Sequence, residues 1–222
     1  MLKGALREAL ELAAASLIAA IVGVSLYLDA RLAFQIGPRE IVALSVCVFL
    51  VHDLAHKLGA RLVASEGRFK LSLTGSAFSL LVAIAQNALT LTTIALKKAL
   101  GLPPAGAWKI APYRLITPGT VVAPGRQRRD ALGKIAAAGP ASSLALGWLM
   151  FFAASVVQPA SFKQVLLLGS ALNAYTALSG LLPVAFCDGL TIYWWSKGAW
   201  VAILLVTAVL IAASNITLFT MP

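Results

Sequence analysis

Histidine, cysteine and acidic residues are scarce in this chain of 222 residues, which holds two, two and eight of them respectively. Cys47 and Cys187 both lie in or beside apolar segments, which argues against the paired framework of a disulfide-stabilised domain. The chain also lacks an internal repeat and a low-complexity linker, so we predict a single domain over residues 1–222. The missing repeat counts against a transporter built from two related halves.

Apolar residues are abundant instead, at 60% of the chain, whereas soluble domains hold about 45–50%. Six runs approach or exceed the roughly 18 residues that span a bilayer. The first run is long and has no small-residue cleavage site, so we expect a retained helix rather than a signal peptide. We predict an all-α polytopic protein of the cell membrane, with about five to six transmembrane helices embedded in the lipid bilayer. The runs are Ala9–Leu28, Ile41–Leu58, Ser76–Leu96, Ile135–Val157, Val165–Leu182 and Ala199–Phe219.

A net charge of +10 is typical of nucleic-acid-binding proteins, but the basic residues here lie in the loops between apolar runs. This placement follows the positive-inside rule, so we expect no nucleic acid. The charge count leaves aside the four basic residues within Leu71–Ala123, namely Lys97, Lys98, Lys109 and Arg114. Orienting the C-terminal end of Ile41–Leu58 towards the cytosol then places Arg31, Arg39 and Lys163 on the outer side. The basic residues then on the cytosolic side are Lys3, Arg7, Lys57, Arg61, Arg68, Lys70, Arg126, Arg128, Arg129, Lys134 and Lys197.

The stretch Leu71–Ala123 does not fit a simple pair of crossing helices. Its part from Ala99 to Thr120 carries four prolines and two basic residues, which a lipid-exposed helix does not tolerate. The basic clusters that flank it require the same side of the membrane. We therefore predict a re-entrant or short β element between the second and third core helices. The alternative is that Ser76–Leu96 forms a full helix followed by an unusual return.

The chemistry is concentrated in "FLVHDLAHKLGA", Phe49–Ala60, which holds both histidines of the chain. His52 and His56 are four residues apart, so they share a helix face and can bind one Zn²⁺. Such a pair is frequent by chance, but an ionisable residue at membrane depth is costly and is a functional hypothesis by default. Six of the eight acidic residues are assigned to helix ends or loops, which leaves Asp53 and Asp188 as the candidate carboxylates at membrane depth.

A catalytic zinc site needs a third protein ligand, and Asp188 is the matching carboxylate. It lies between Pro183 and Gly189, where we expect the helix to break. Cys187 is an alternative third ligand. Asp53 lies about 100° around the helix from His52, so we place it beside the metal. There it could take a proton from the attacking water and pass it to a leaving amine.

Four motifs in order resemble the site-2 protease family of intramembrane zinc metalloproteases, particularly its compact archaeal type. "HDLAHK" resembles the family's H-E-x-x-H. "ITPGTVVAPG" (Ile116–Gly125) and "GKIAAAGPASS" (Gly133–Ser143) resemble its next two elements. "NAYTALSGLLPVAFCDG" (Asn173–Gly189) resembles its aspartate motif, with the same spacing from proline to aspartate.

The resemblance implies a zinc-dependent endopeptidase that cleaves transmembrane segments of membrane proteins near the cytosolic face. His52, His56 and Asp188 would be the zinc ligands, and Asp53 would hold the place of the catalytic glutamate. Ser143, Asn173 and Gly180 would contact the substrate. A strand-like element that receives the unwound peptide would lie in Arg68–Gly75 or Tyr113–Val122.

Three departures from the family pattern concern the catalytic helpers. Asp53 is one methylene shorter than glutamate, and a misplacement of about 1 Å can slow a reaction about 100-fold. Ser143 and Gly180 stand where the family has asparagines. These changes leave open a catalytically silent zinc-binding relative that binds transmembrane segments without cleavage. A further alternative is an ion or proton transporter that uses His and Asp as a relay.

Overall fold

The computed structural model describes residues 2–31, 34–102, 111–114, 116–123, 125, 127–185 and 187–221. Within these ranges the chain forms seven helices and one two-stranded sheet. The helices are α1 (Leu2–Ala30), α2 (Pro38–Leu62), α3 (Leu73–Ala99), α4 (Arg129–Val156), α5 (Ala160–Gly180), α6 (Asp188–Trp195) and α7 (Lys197–Thr220). The strands are β1 (Arg68–Leu71) and β2 (Gly119–Val122).

Five helices, namely α1, α2, α3, α4 and α7, are long and apolar enough to cross a membrane. The predicted all-α polytopic membrane fold is therefore confirmed. The fifth predicted run, Val165–Leu182, forms α5, whose second half, from Leu167 to Gly180, is buried almost without interruption between α2, α4 and α7. Its small and polar residues suit this central place, because they let neighbouring helices approach closely.

The predicted β element is present in the stretch between α2 and α4. It lies at the end of the molecule where α1 begins. β1 and β2 pair in antiparallel fashion, with Arg68 opposite Val122 and Leu71 opposite Gly119. Ser72 then caps the next helix, since its hydroxyl accepts a hydrogen bond from the Gly75 N–H at 3.0 Å. The sheet thus brings together the two ends of the stretch that runs from β1 to β2.

The first part of this stretch, α3, differs from the favoured prediction of a re-entrant hairpin. α3 is a continuous helix of 27 residues, about 40 Å long at 1.5 Å per residue, so the alternative of a full helix is correct. Hydropathy alone does not reveal this, because the same apolar run suits either a crossing helix or a hairpin. The choice between helix and hairpin depends on whether the fold can bury the irregular segment that leads back from the end of α3.

The return includes the irregular segments 111–114 and 116–118, which run back beside α3. The Thr117 N–H donates to Ser79 Oγ at 3.0 Å, and Ser76 Oγ donates to the Pro118 carbonyl at 3.1 Å. On its other side, Tyr175 of α5 donates to the Ala111 carbonyl at 3.0 Å. Non-helical backbone is tolerated at membrane depth where protein satisfies its polar groups, and these contacts do so.

Candidate metal centre

The histidine pair lies on the inner face of α2, one helical turn apart. His52 is 8% exposed and His56 is 3% exposed. Their rings meet edge to face, with centroids 4.9 Å apart. The shared helix face predicted from their spacing is confirmed.

Asp188 reaches the histidines from the break between α5 and α6. α5 ends at Gly180 and α6 begins at Asp188, as the positions of Pro183 and Gly189 predicted. The indole N–H of Trp200 donates to the Leu181 carbonyl at 2.9 Å, which holds the start of this connection against α7. Asp188 Oδ2 then lies 3.4 Å from His52 Nε2 and 3.1 Å from His56 Nε2.

Each imidazole is held from behind by α4. His56 Nδ1 lies 2.7 Å from the Ile135 carbonyl oxygen, which can only accept, so Nδ1 carries the proton and donates it. His52 Nδ1 lies 3.0 Å from Ser143 Oγ. Contacts of this kind fix ring orientation and tautomer at metal sites. Both Nε2 atoms are thereby directed at Asp188.

A close approach of α4 makes room for the two rings. A Cβ at Gly139 would collide with His56 Nε2 and would lie 2.8 Å from His52 Nε2. Any side chain at this position would therefore displace the histidines. Glycine in "AAAGP" is a requirement of the site, because the α4 backbone packs directly against the imidazoles.

The donor set fits a divalent metal ion. One ligand atom each from His52, His56 and Asp188 lies within 4.8 Å of the others, which is a spacing that could hold an ion. Tetrahedral zinc with bonds of about 2.0–2.1 Å places neighbouring ligand atoms about 3.3 Å apart, close to the two measured separations. Cys187 is buried nearby but does not belong to this group, so the structure favours Asp188 as third ligand.

Asp53 lies beside the ligands rather than among them, as its position on the helix predicted. It is 6% exposed, and its carboxylate accepts no hydrogen bond from the described residues. It lines a cavity of about 20 Å³ that also borders all three ligands. A cavity of this volume holds about one water molecule. The carboxylate can therefore receive a proton from a water placed next to the ligands.

Of the three predicted substrate contacts, only Gly180 borders this cavity. A Cβ at Gly180 would lie 3.3 Å from His52 Cε1 and 3.5 Å from Asp188 Oδ2. The position faces the ligands directly. Because residue 180 is glycine, no side-chain amide projects from this position into the cavity.

Ser143 and Asn173 do not line this cavity, and their contact with a substrate stays a prediction. Ser143 is fully buried behind His52, where its Oγ lies against Nδ1 of that ring. Asn173 is also fully buried, and its amide donates to the Gly169 carbonyl at 2.9 Å within α5. It lies seven residues, or about 10 Å, along the helix from Gly180. The motif match could not distinguish residues that line the cavity from residues that pack behind it.

Sequence reasoning did not single out three threonines that also line the cavity, Thr117, Thr120 and Thr176. Thr176 is one turn before Gly180 on α5, so the i, i+4 spacing could have found it. Thr117 and Thr120 come from the return segment and from β2. Their place depends on the pairing of β1 with β2, which no local pattern announces.

The chain matches no protein-family model, no curated protein and no solved structure. The likeness to site-2 proteases therefore consists of the motifs themselves. The geometry around His52, His56 and Asp188 is the independent observation beside them.

Proposed function

We propose that this protein is a zinc-dependent intramembrane endopeptidase that cleaves transmembrane segments of membrane proteins near the cytosolic face. The observation that carries the proposal is the convergence of two imidazoles and one carboxylate on one point, next to the Asp53 carboxylate, which accepts no hydrogen bond from the described residues. The ordered motifs that resemble site-2 proteases support the same function.

The chain's own residues have distinct parts in this chemistry. His52, His56 and Asp188 would hold the metal, and Ile135 and Ser143 keep the two rings in place. Bound zinc would polarise the scissile carbonyl and make water a better nucleophile. Asp53 accepts the proton of the attacking water and delivers it to the leaving amine. Burial of the site keeps bulk water away from these transfers.

The substrate must be extended at the site, because a peptide bond within a transmembrane helix is shielded by its own helical turns. β2 supports this requirement, since Gly119 and Thr120 line the cavity beside the ligands. A strand bordering the metal site offers backbone groups to which an unwound segment can pair. Of the two strand-like regions expected from the motifs, the second contains this strand.

The first test joins metal analysis to a cleavage assay. Purified protein should contain about one zinc per chain, because three ligands and an open position complete a catalytic site. The same preparation should cut a transmembrane reporter in vesicles, and Asp53→Asn should keep zinc while activity is lost. Protein that binds no zinc when supplied with it would refute the proposal.

The cytosolic orientation is tested separately. Reporters fused after Lys70 and after Arg129 should both report the cytosolic side, because β1 and β2 pair at one end of the molecule. A reporter after Lys163, at the start of α5, should report the opposite side. Reversed readings for all three would invert the proposed orientation and leave the metal site unaffected.

A catalytically silent relative is the second candidate, and a specific observation favours it. Gly180 faces the ligands without an amide, and Asp53 is one methylene shorter than the family's glutamate. Loss of one donor that stabilises the transition state can slow a reaction about 100- to 1,000-fold. The combined change Asp53→Glu, Ser143→Asn, Gly180→Asn is the matching test. If this variant is folded and zinc-loaded yet cuts none of a panel of transmembrane segments, the peptidase proposal fails.

A further inference from the structure

A second, larger cleft adjoins the metal cavity on the side of α1. It has a volume of about 260 Å³ and is open at one side. An apolar cavity of about 150 Å³ already accommodates benzene, so this cleft has room for a branched or aromatic side chain. Its apolar walls come from α1, α2 and both strands, and are formed by Ala5, Ala9, Leu12, Leu54, Phe69 and Val121.

Two carboxylates of α1 hold these walls together. Glu8 Oε1 accepts from Lys57 Nζ at 2.6 Å and from the Phe69 N–H at 2.9 Å, so it joins α1 to α2 and to β1. Glu11 Oε2 accepts from the Leu71 N–H at 3.0 Å. The carboxylates occupy the outer edge of β1, where another strand would otherwise pair. The cleft therefore has a fixed shape, and the charges at its rim are already paired.

Asp53 connects the cleft to the metal cavity, because its side chain lines both. It is the buried carboxylate that accepts no hydrogen bond from the described residues. β2 connects the two spaces as well. Val121 faces the cleft opposite its partner Phe69, while the adjacent Thr120 lines the metal cavity. If a peptide binds along β2 next to the metal, one of the peptide's side chains can therefore reach into the cleft.

We propose that this cleft is a specificity pocket that receives one leucine- or phenylalanine-sized side chain of the extended substrate segment, next to the bond to be cut. This inference rests on the proposed function. Ala5 and Ala9 create the space, since larger residues on this stripe of α1 would fill it. A transmembrane segment would present this side chain through the open side of the cleft.

The experiment uses the full, zinc-loaded chain in phosphatidylcholine–phosphatidylglycerol vesicles. A set of transmembrane peptides carries a photoreactive leucine analogue, moved one position at a time through a central segment weakened by Asn-Pro. Illumination and mass spectrometry locate the labelled protein residues, and the same samples report cleavage. We expect one or two peptide positions to label the cleft walls around Ala9, Leu54 and Val121.

Filling the pocket is the decisive variant. Ala9→Leu should reduce this labelling by roughly 10-fold or more, since a hydrophobic pocket discriminates a single methylene by about that factor. Ala13→Leu is the matched control, because Ala13 is exposed on the same helix and does not line the cleft. Ala5→Leu provides a second filled variant, and zinc content verifies that each variant is folded.

Each outcome decides a different question. Cleft labelling without cleavage would retain the pocket and refute the peptidase activity. Cleavage without cleft labelling, or labelling that Ala9→Leu leaves unchanged, would overturn the pocket and retain the peptidase. If a photoreactive phospholipid labels the cleft and no peptide does, the cleft belongs to an acyl chain and the proposal is overturned.

Discussion

Two buried polar clusters of this molecule differ in whether their charges are balanced from within. Around Arg114, which is 3% exposed, the guanidinium pairs with the Asp29 carboxylate. It also donates to Asn87 Oδ1 at 2.8 Å and to Ser25 Oγ at 3.1 Å. One cation meets one anion, and the donors of the guanidinium find acceptors on α1 and α3. This cluster fastens the return segment to the helices and is complete as it stands.

The histidine cluster has the opposite character. His56 donates through Nδ1 to a backbone carbonyl, so in the neutral ring Nε2 presents a lone pair to Asp188 Oδ2, only 3.1 Å away. Two acceptors at that distance need a cation between them, either a proton or a metal ion. Lys57, the residue after His56, is turned to Glu8 instead. A cluster left rich in electron pairs is suited to binding a cation, whereas the Arg114 cluster is suited to holding the fold.

The largest expected effect is loss of the metal when a ligand is removed. His52→Ala, His56→Ala and Asp188→Ala should each abolish tight zinc binding, because two remaining ligands do not complete a site. Zinc content after dialysis against a weak chelator measures this. Cys187→Ala is the control, since Cys187 borders the cavity outside the ligand group, and it should keep zinc. The reverse pattern would identify Cys187 as the third ligand.

Disrupting the Arg114 cluster should lower the free energy of unfolding. Arg114→Leu leaves Asp29 without its cation, and removing one partner of a buried pair costs about 3–5 kcal/mol in the free energy of unfolding. Reversible unfolding in mixed micelles measures the change. Arg128→Leu, at an exposed position, should stay within about 0.5 kcal/mol.

The double change Arg114→Leu, Asp29→Leu sharpens this test. It removes the unpaired charge, so it should recover part of the lost stability. A loss below about 1 kcal/mol for Arg114→Leu would contradict the structural role assigned to this cluster.

The support behind a ligand should have a smaller effect. Ser143→Ala should weaken zinc binding about 10- to 100-fold, the range for groups that orient metal ligands. Competition with a chromophoric chelator measures the affinity. Ser170→Ala is the matched control, because Ser170 is equally buried but bonds to Ser214. If Ser143→Ala instead changes substrate affinity at saturating zinc, Ser143 is a substrate contact after all.

The smallest expected effect concerns the reach of Asp53. Asp53→Glu restores the methylene that the family pattern has, and cleavage should rise about 10-fold, given how steeply rate falls with misplacement. The variant should keep its zinc, since Asp53 is not a ligand. Initial rates on a transmembrane reporter measure the change. Wild-type cleavage that survives Asp53→Asn undiminished would exclude Asp53 as the base.

Much of the candidate site was predictable because histidine and acidic residues are scarce in this chain. With two histidines and eight acidic residues in the chain, most of the latter assigned to helix ends or loops, the candidate ligands of a metal were few. Asp29 escaped this reasoning, because at the end of a helix it resembles an ordinary interfacial carboxylate. Its partner Arg114 is 85 residues away, and nothing local connects the two. Ser143 and Asn173 lie behind the cavity wall, which the motifs could not show because a motif records order along the chain and not depth in the fold.

The sequence by itself determined the apolar helices and the common face of His52 and His56, because hydropathy and the helical period are local properties. It also predicted a break before Asp188, since Pro183 lacks a backbone N–H and disfavours the helical conformation of the residue before it. Only the tertiary structure decided that α3 is a full helix, that Arg114 closes a second cluster, and that β2 borders two cavities. Those features depend on which distant segments cover a backbone or balance a charge, and such pairings arise only when the helices pack.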